Sequence, residues 1–504
     1  MDVKLERTDP FSNRVLACEA RGGDACEAMV VVPTITRPGE PFTVGVSILD
    51  RFRLPSFEGA DDVRLSAGDE DKDGMALSFS ADQPAIVRVH GIVLEREGLH
   101  RLACRLNGQT FHSNPTLCTA DSRRRQILWG DPHIHTILSD CHPDRCRSLN
   151  LACIASRDAY FLDWVTLADH VSNGRSSKGK WKAMWTAVDL FDDPGGFVML
   201  PGYEASLQGW SGGDNNVYLL NDLPAYVDEY DSGNTLTLAK ELGERLPQGA
   251  FFIVPHHTSR PGKHGAIPRE IYPGADVMPV VEIHSKWGTS EFRGNPTPLK
   301  HGVADAPSFV RDLLAQGYHL GFVGGTDTHT TLTFARGIES PHIDRLPGLT
   351  AVQTNEFSRR GIFRGIQRRQ CYAACGERML IDVRISGARM GSERTVSLEA
   401  ARRARTVRAQ VAGITDLESV EIIRNGQVVH SATPEGWKTE LNWRDTTPLD
   451  EVALTADDGA ARFAYYYVRA TTVGGGKVWS SPTRFVLACE PGRVVRPRVG
   501  LHAF

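Results

Sequence analysis

Residues 125–135 read RQILWGDPHIH, an apolar run that ends in two histidines, His133 and His135. Side chains alternate between the two faces of a strand, so histidines two positions apart point the same way and can bind one ion together. This stretch therefore predicts a buried strand with a pair of metal ligands at its carboxyl end.

Five further apolar runs in the middle of the chain also end in residues that can bind a metal. They are DWVTLADH (163–170), GFVMLPGYE (196–204), FFIVPHH (251–257), PVVEIH (279–284) and LGFVGGTDTH (320–329). Amphipathic stretches typical of helices lie among them, at 180–191, 237–246, 308–317 and 363–370. Strands that alternate with helices favour parallel pairing, and the carboxyl ends of barrel strands meet on one face. We therefore expect an α/β fold whose central, TIM-like barrel carries metal ligands at one mouth.

The two flanks of the chain show short alternating runs instead, such as PFTVGVSILD (41–50) and VEIIRNGQVVH (420–430). Alternation separated by Gly, Asp and Asn turns is typical of antiparallel strands. We expect an N-terminal β domain over 1–126, the barrel over 127–377 and a C-terminal β-sandwich over 378–488. The basic stretch 489–504 is expected to be a tail that packs on the surface or on another subunit.

The composition of the chain argues against nucleic acid and membranes as binding partners. The 504 residues include 57 basic and 61 acidic side chains, a net charge of -4 that provides no overall basic field for nucleic acid or an anionic membrane. The chain shows neither a signal-peptide pattern nor an apolar run of the roughly 18 residues that span a bilayer. Its ten cysteines are scattered rather than spaced as a disulfide framework. We expect a cytoplasmic protein that acts on a small molecule, and the sequence leaves its oligomeric state open, a homo-oligomer included.

A lone histidine is more often a structural residue than a metal ligand. Here, however, the structural interpretation would have to hold at many strand ends at once. The chain has only 17 histidines, so it is improbable that so many of them fall at strand ends by chance. Neighbours such as Asp169 and His170 should point in opposite directions along a strand. We expect His170 to bind the metal and Asp169 to orient a ligand or a loop from behind it.

Several of these motifs resemble those of the polymerase and histidinol phosphatase (PHP) superfamily of metal-dependent phosphoesterases. The motifs are HIHT (133–136), SD (139–140), ADH (168–170), GYE (202–204), a strand-ending histidine and GTDTH (325–329). Flanking phrases such as VPHHTSR (254–260) and EIHSKWGTSE (282–291) are similar to the DUF3604 branch, in which a PHP-like barrel carries β domains. The resemblance implies a distorted (β/α)7 barrel that holds two or three divalent ions, usually zinc, manganese or iron.

The resemblance also implies a role for each ligand. One ion would be held by His133, His135, Glu204 and Asp327, a second by His256 with Glu204 as the bridge, and a third by Asp140, His170 and His329. Departures from the family pattern leave it open whether Asp214, Cys141 or His142 joins the site.

Besides metal ligands, a hydrolase needs a proton donor for the leaving group and side chains that bind the substrate. Divalent ions lower the pKa of bound water and so supply hydroxide, while a leaving group still needs a proton. His257 and His284 are candidates for the general acid, although His284 is equally compatible with a role in the wall. Arg260 and Lys286, with Lys263 nearby, could receive an anionic group of the substrate.

These residues predict a metal-dependent hydrolase, acting on a phosphoester or another small anionic substrate. One alternative keeps the metals but changes the bond, giving a hydrolase or lyase for a non-phosphate ester, amide or ether. A second alternative is a carbohydrate-binding protein with a structural metal cluster. Structural sites are usually closed by protein ligands, whereas this many polar groups at one mouth suggest positions open to water and substrate.

Overall fold

The structure is a computed structural model. It describes residues 3–67, 74–139, 141, 142, 144–171, 177–206, 212–221, 226, 227, 233–260, 265, 267–302, 308–339, 345–457, 459 and 461–488. Asp140, Lys263 and the predicted tail 489–504 lie outside the described residues. No helix within the described ranges is long and apolar enough to cross a membrane.

The first part of the chain is built from short strands and one helix, α1 (Pro10–Glu19). The strands are β1 (Lys4–Glu6), β2 (Glu27–Val31), β3 (Ile35–Thr36), β4 (Pro41–Leu49), β5 (Ala60–Ser66), β6 (Met75–Phe79), β7 (Ile86–Val93), β8 (Gly98–His100), β9 (Ala103–Leu106), β10 (Gln109–His112) and β11 (Thr116–Cys118). They form sheets in the orders β1-β7-β4-β2, β10-β9-β5-β6 and β3-β11-β8. Alternate apolar side chains of the first two sheets pack into a shared core.

The middle part supplies the strands whose ends carry the predicted ligands. Its strands are β12 (Gln126–Ile134), β13 (Trp164–Leu167), β14 (Val198–Met199), β15 (Gly202–Ser206), β16 (Asp214–Leu219), β17 (Phe251–Pro255), β18 (Val280–Ser285), β19 (Gly288–Thr289), β20 (Gly321–Gly324), β21 (Gly348–Thr354) and β22 (Cys371–Cys375). Its α-helices are α2 (Leu149–Ile154), α3 (Lys178–Phe191), α4 (Thr235–Arg245), α5 (Val310–Ala315) and α6 (Arg359–Gln367). Side-chain caps begin several of them: Ser177 accepts from the backbone of Lys180 at the start of α3.

The last part returns to strands. These are β23 (Leu380–Ile385), β24 (Ala388–Arg389), β25 (Glu393–Val396), β26 (Arg405–Ala412), β27 (Leu417–Arg424), β28 (Gln427–Ala432), β29 (Lys438–Asp445), β30 (Leu454–Thr455), β31 (Arg462–Thr472), β32 (Lys477–Ser480) and β33 (Thr483–Leu487), with the short helices α7 (Leu398–Ala401) and α8 (Leu449–Val452). Four of the strands form the antiparallel sheet β24-β23-β26-β29.

The expected fold class, an α/β barrel between β-sandwiches, is wrong. The described residues are mostly β, with 41% strand and 17% helix, and no helix-rich barrel is evident among them. The middle strands are divided among a large mixed sheet that begins β14-β13-β12-β21-β22, the antiparallel sheet β15-β16-β17 and the sheet β19-β18-β20. The sequence pattern misled because strands covered on both faces form continuous apolar runs whether their neighbours are parallel or antiparallel.

The large sheet connects the middle and last parts of the chain. Strand β22 pairs with β32, so that Tyr372 lies opposite Ser480, and the sheet continues through β31 and β27 to β28. Backbone hydrogen bonds therefore join residues on both sides of the predicted boundary at 377. The predicted domain limits stay predictions.

A buried ionic network reinforces this connection. Glu291 is 2% exposed and accepts hydrogen bonds from Arg311 at 3.0 Å, Tyr467 at 2.7 Å, Arg469 at 2.8 Å and Trp479 at 2.7 Å. Burial opposes ionisation of this carboxyl, but the two guanidinium groups outweigh it and lower its pKa. One carboxylate from the middle part thus holds four side chains of the surrounding structure.

We expect Glu291→Gln to lower the free energy of unfolding by about 3–5 kcal/mol, because it removes the counter-charge of Arg311 and leaves Arg469 with Glu421 alone. The pKa of Glu291 is lower in the folded than in the unfolded chain, so its stabilisation is present above the unfolded pKa of about 4.3 and is lost as pH falls through the folded value. Urea unfolding at neutral and acid pH measures both effects. Glu435→Gln, at an exposed position, is the control; equal losses in the two variants would contradict the assignment.

Candidate metal centre

Five side chains carried by, or directly after, four separate strands meet in the interior. His133 lies in β12 and His135 directly follows it, Glu204 lies in β15, His256 follows β17 and Asp327 follows β20. The two histidines of β12 are fully buried, and Glu204, His256 and Asp327 are 2%, 2% and 3% exposed. The predicted ligands therefore lie close together, although Glu204 is in the middle of β15 and not at the predicted strand end, and the strands do not form the predicted barrel.

Glu204 lies at the centre of this cluster. Its Oε2 is 3.3 Å from Nε2 of both His133 and His135 and 3.5 Å from Nδ1 of His170. Its Oε1 lies 3.1 Å from Nε2 of His256. The two oxygens of one carboxylate therefore face different sets of imidazoles, as a carboxylate that bridges two ions must do.

Asp327 is the second central carboxylate. Its Oδ1 is 3.1 Å from Nε2 of His135, 3.4 Å from Nε2 of His329 and 3.6 Å from Nε2 of His133, and its Oδ2 is 2.9 Å from Nε2 of His257. Asp327 and His257 both have positive φ angles, 51° and 54°, which is uncommon for residues other than glycine. Such strained residues tend to occur at functional sites.

Several groups of side chains could each hold a divalent ion, because their ligand atoms lie within 4.8 Å of one another. The groups are His133, His135 and Glu204; His133, His256 and Asp327; Asp214, His256 and His257; and His135, Cys141, His170 and His329. Imidazole nitrogen, carboxylate oxygen and thiolate sulfur suit zinc or a similar transition metal. The groups share members, so they form one candidate metal centre in which more than one combination of ligands could hold an ion.

Two buried ring nitrogens support this interpretation. Nδ1 of His256 and Nδ1 of His329 have no hydrogen-bond partner among the residues that the structure describes. A buried polar atom without a partner costs about 1–3 kcal/mol, and coordination removes such a cost. The donor set of the cluster and its unsatisfied nitrogens therefore fit a bound cation.

Electrostatics keep both central carboxylates ionised. Burial acts against the charge of Glu204, but the neighbouring His170 and His256 hold its pKa well below the usual range. The pKa of Asp327 is also well below its usual value, because the charge of His133 and hydrogen bonds from three further histidines outweigh its burial. Anionic carboxylates are the form that binds metal.

Two polar contacts orient the histidines from behind. Nδ1 of His133 lies 3.0 Å from Oε2 of Glu282, and Nδ1 of His135 lies 2.8 Å from the hydroxyl of Ser139. The same hydroxyl donates to Asp169 at 2.8 Å. These contacts leave Nε2 of each ring directed at the central carboxylates, the arrangement by which outer partners fix a ligand's tautomer.

Close packing brings the β12 and β20 strand ends together. A Cβ atom at Gly325 would lie 2.4 Å from Oε2 of Glu282 and 2.7 Å from Cβ of His133, so this position requires glycine. The fully buried Asp131 accepts from the backbone and hydroxyl of Thr326, at 3.0 and 2.6 Å, and burial raises its pKa to about 6. These contacts fix the loop that presents Asp327.

We expect Glu282→Gln to weaken metal binding by roughly 10–100-fold, the usual cost of losing an outer partner of a ligating histidine. The amide can no longer accept from His133 as strongly as a carboxylate does, so the ring loses its preferred tautomer and basicity. Competition with a fluorescent chelator measures the dissociation constant. Glu244→Gln, on the exposed face of α4, is the control, and an unchanged constant in the Glu282 variant would contradict this role.

His257 and Arg260 lie beside the cluster. Besides its contact with Asp327, His257 has Nδ1 at 3.9 Å from Oδ2 of Asp214 and 3.4 Å from Nη1 of Arg260. Arg260 is partly buried, with its guanidinium 5.4 Å from the ring centroid of Trp287. Both side chains can therefore reach a molecule bound at the central carboxylates.

His284 and Lys286 do not reach the cluster. Nε2 of His284 donates to the carbonyl of Leu346 at 2.9 Å, its ring stacks on Trp479, and burial lowers its pKa to about 4. Lys286 is fully buried and donates to Glu339 at 3.2 Å and to two backbone carbonyls. These contacts give both residues structural roles and do not support their expected roles as general acid and anion ligand.

The sequence left it open whether Cys141, Asp214 and His142 join the site, and the structure places all three near it. The thiol of Cys141 contacts the imidazoles of His170 and His329, and Asp214 joins His256 and His257. The ring of His142 lies 4.4 Å from that of His329, measured between centroids. The run PVVEIH contains both Glu282 and His284, and only His284 was predicted to take part in the chemistry, so the orienting role of Glu282 was not predicted.

Comparison with known proteins adds relatives without a described activity. No family model matches the chain. An uncharacterized protein of Chlamydia pneumoniae is 26% identical over 482 residues, 93% of this chain and 75% of the relative. Uncharacterized proteins of Chlamydia muridarum and Chlamydia trachomatis are each 25% identical over 484 residues, again 93% of this chain and 75% of the relative.

Among solved structures, a beta-glucuronidase of Bacteroides uniformis is 8% identical, with a TM-score of 0.19; the match covers 92% of this chain and 61% of the enzyme chain. A second Bacteroides uniformis structure, beta-glucuronidase 2 covalently bound to cyclophellitol-6-carboxylate aziridine, is 9% identical with a TM-score of 0.20 and the same coverage. The chain thus spans less than two thirds of either enzyme chain, and likenesses at this level carry no argument about fold or function.

Proposed function

We propose that this chain is a metal-dependent hydrolase whose active site is the buried cluster around Glu204 and Asp327. The observation that carries the proposal is the two-sided contact of Glu204, with Oε2 toward His133 and His135 and Oε1 toward His256. When bound, divalent cations supply Lewis-acid stabilisation and lower the pKa of water from about 15.7 towards 7. The motifs that resemble the PHP superfamily support the same reaction class.

The side chains of the protein would donate the proton and limit the access of water. Burial lowers the pKa of His257, but its contacts with the carboxylates of Asp214 and Asp327 outweigh burial and raise it, so His257 is our candidate for the proton donor. A protonated imidazole beside the reacting centre can donate to a leaving group. The burial of the central carboxylates restricts water around the reacting atoms and strengthens their electrostatic interactions.

The position of Arg260 supports the proposal that the substrate is anionic, and a phosphoester is the substrate class that we propose. Its guanidinium lies at the cluster and over Trp287, and Nζ of Lys300 lies 5.8 Å from the same ring. A planar guanidinium matches two oxygens of a phosphate or carboxylate at once. Arg260→Gln should therefore raise KM more than it lowers kcat.

The experiment is a hydrolase screen on protein loaded in turn with zinc, manganese and iron. Metal-dependent release of phosphate, or cleavage of a chromogenic phosphodiester, supports the proposal. Cleavage of carboxylic esters with no action on phosphates would move the substrate class to the non-phosphate alternative. Metal-loaded protein that cleaves nothing but binds a sugar equally well after substitution of the ligands would contradict the proposal.

Cys141 offers a test of the His135, His170 and His329 group. Its pKa is raised to about 11, by the hydrogen bond with Cys146 and by burial, so the free thiol is neutral and a metal must displace its proton to bind. We expect cobalt-loaded protein to show a thiolate charge-transfer band that Cys141→Ser abolishes. Cys18→Ser, at an exposed cysteine of α1, should keep the band; a band that persists in Cys141→Ser would exclude Cys141 as a ligand.

A further inference from the structure

A cleft lined by arginines opens at the end of β12 that is far from the metal centre. Its volume is about 420 Å³, and we call it the arginine cleft, defined by Arg123, Arg124, Arg125, Arg384 and Arg389. Arg125 precedes β12 and His133 lies near the end of it, and at roughly 3.3 Å per residue the two positions are about 25 Å apart. The cleft therefore cannot share a small substrate with the metal centre.

The strand register places like charges side by side. Arg384 in β23 lies directly opposite Arg389 in β24, and its other neighbour in the sheet is Arg408 in β26. Residues that are direct cross-strand partners share a face, and like charges in such positions destabilise a sheet. A row of three guanidinium groups across neighbouring strands has no evident benefit for the fold itself.

Nearby carboxylates compensate only part of this charge. Asp121 pairs with Arg123 at 3.0 Å, and Asp382 pairs with Arg124 at 2.8 Å. Nε of Arg384 is 3.9 Å from the same Asp382, which Arg124 already occupies. Five guanidinium groups thus face two carboxylates along the lining, and each carboxylate has a closer partner than Arg384.

Arg125 shows the excess charge most clearly. It is partly buried, and its guanidinium donates to the neutral side-chain amide of Gln370. Burial lowers its pKa, and the positive Arg389 and Arg368 lower it further. Positive charge that is half-buried and unneutralised is what an anion-binding site requires.

The geometry points to a second binding site: we propose that the arginine cleft binds a small phosphorylated molecule, distinct from the substrate of the metal centre. Guanidinium groups bind phosphate oxygens in pairs, and several of them around one cleft can hold a charged group from more than one side. A volume of about 420 Å³ lies within the range of small-molecule sites. The buried Ile127 and the amide of Gln353 complete the lining and provide contacts for an uncharged portion.

The test is calorimetric titration of the full, metal-loaded chain with inorganic pyrophosphate. The wild type is compared with Arg384→Gln/Arg389→Gln and with Arg394→Gln, an exposed arginine of β25 that is outside the cleft. Any binding of pyrophosphate at the metal centre is common to all three proteins, so their difference isolates the cleft. We expect the double variant to bind at the cleft at least about ten-fold more weakly, with unchanged metal content, whereas Arg394→Gln behaves as the wild type.

Thermal unfolding at low salt gives an independent measurement. Without pyrophosphate the double variant should melt at a higher temperature than the wild type, because the paired guanidinium groups no longer repel each other. It should also gain less from added pyrophosphate. Equal pyrophosphate affinity in all three proteins would overturn the proposal, as would binding of an oligonucleotide that depends on Arg384 and Arg389 while pyrophosphate does not bind.

Discussion

Replacement of both His133 and His135 by alanine is expected to remove at least one equivalent of bound metal and to abolish turnover. Both rings are fully buried, and both place Nε2 within 3.3 Å of Oε2 of Glu204. The loss should exceed the roughly 10–100-fold cost of removing an outer partner, because the ligands themselves are lost. The fold should persist, since the two positions lie at the end of β12, beyond most of its paired residues.

Elemental analysis of the purified double variant measures the metal, and circular dichroism checks that the chain has folded. The control is His430→Ala in β28, whose ring stacks on Trp443 outside the cluster. The control should retain wild-type metal content and turnover. Unchanged metal content in a folded double variant would show that the pair of histidines does not bind the ion.

The second large effect is expected for Glu204→Gln, which keeps the size of the side chain but removes its charge. Two cations about 3.5–4 Å apart repel each other, and a bridging carboxylate offsets that repulsion. Glu204 also contacts His170 and His256, whose charges hold its pKa well below the usual range. The variant should therefore lose the more weakly held ion first, and kcat should fall more than substrate affinity, because Arg260 is unchanged.

Metal stoichiometry and steady-state kinetics of Glu204→Gln are measured on the same preparation. Glu244→Gln on α4 is the matched control for the change of a carboxylate to an amide. Full occupancy with near-normal turnover in the Glu204 variant would exclude it as the bridge. Asp214, which joins His256 and His257, would then be the next carboxylate to test, together with Asp140, which lies outside the described residues.

The sequence predicted the convergence of the ligands better than it predicted the fold. The alternation of strand side chains is local, and it correctly placed His133 and His135 on one side of β12. The apolar run before His256 likewise ends at the cluster. Which strand pairs with which is decided by contacts distant in sequence, so the same run gave no sign that β17 pairs antiparallel with β16.

The residues around the ligands were harder to predict for a similar reason. Glu282 and His284 are two positions apart and would share a face on a regular strand, but the register of β18 against β20 shifts between them. One side chain consequently orients His133, and the other packs on Trp479. The approach of Cys141 to His170 depends on the path of a loop, which the sequence pattern does not encode.

We propose that the buried histidine and carboxylate cluster holds catalytic metal. The most direct test is the metal content of the wild-type chain purified without added metal, followed by removal with a chelator and reloading. We expect two or three equivalents of zinc, manganese or iron per chain, with hydrolysis lost on removal and restored on reloading. A folded chain that contains no such metal, and takes none up on dialysis against all three, would contradict it.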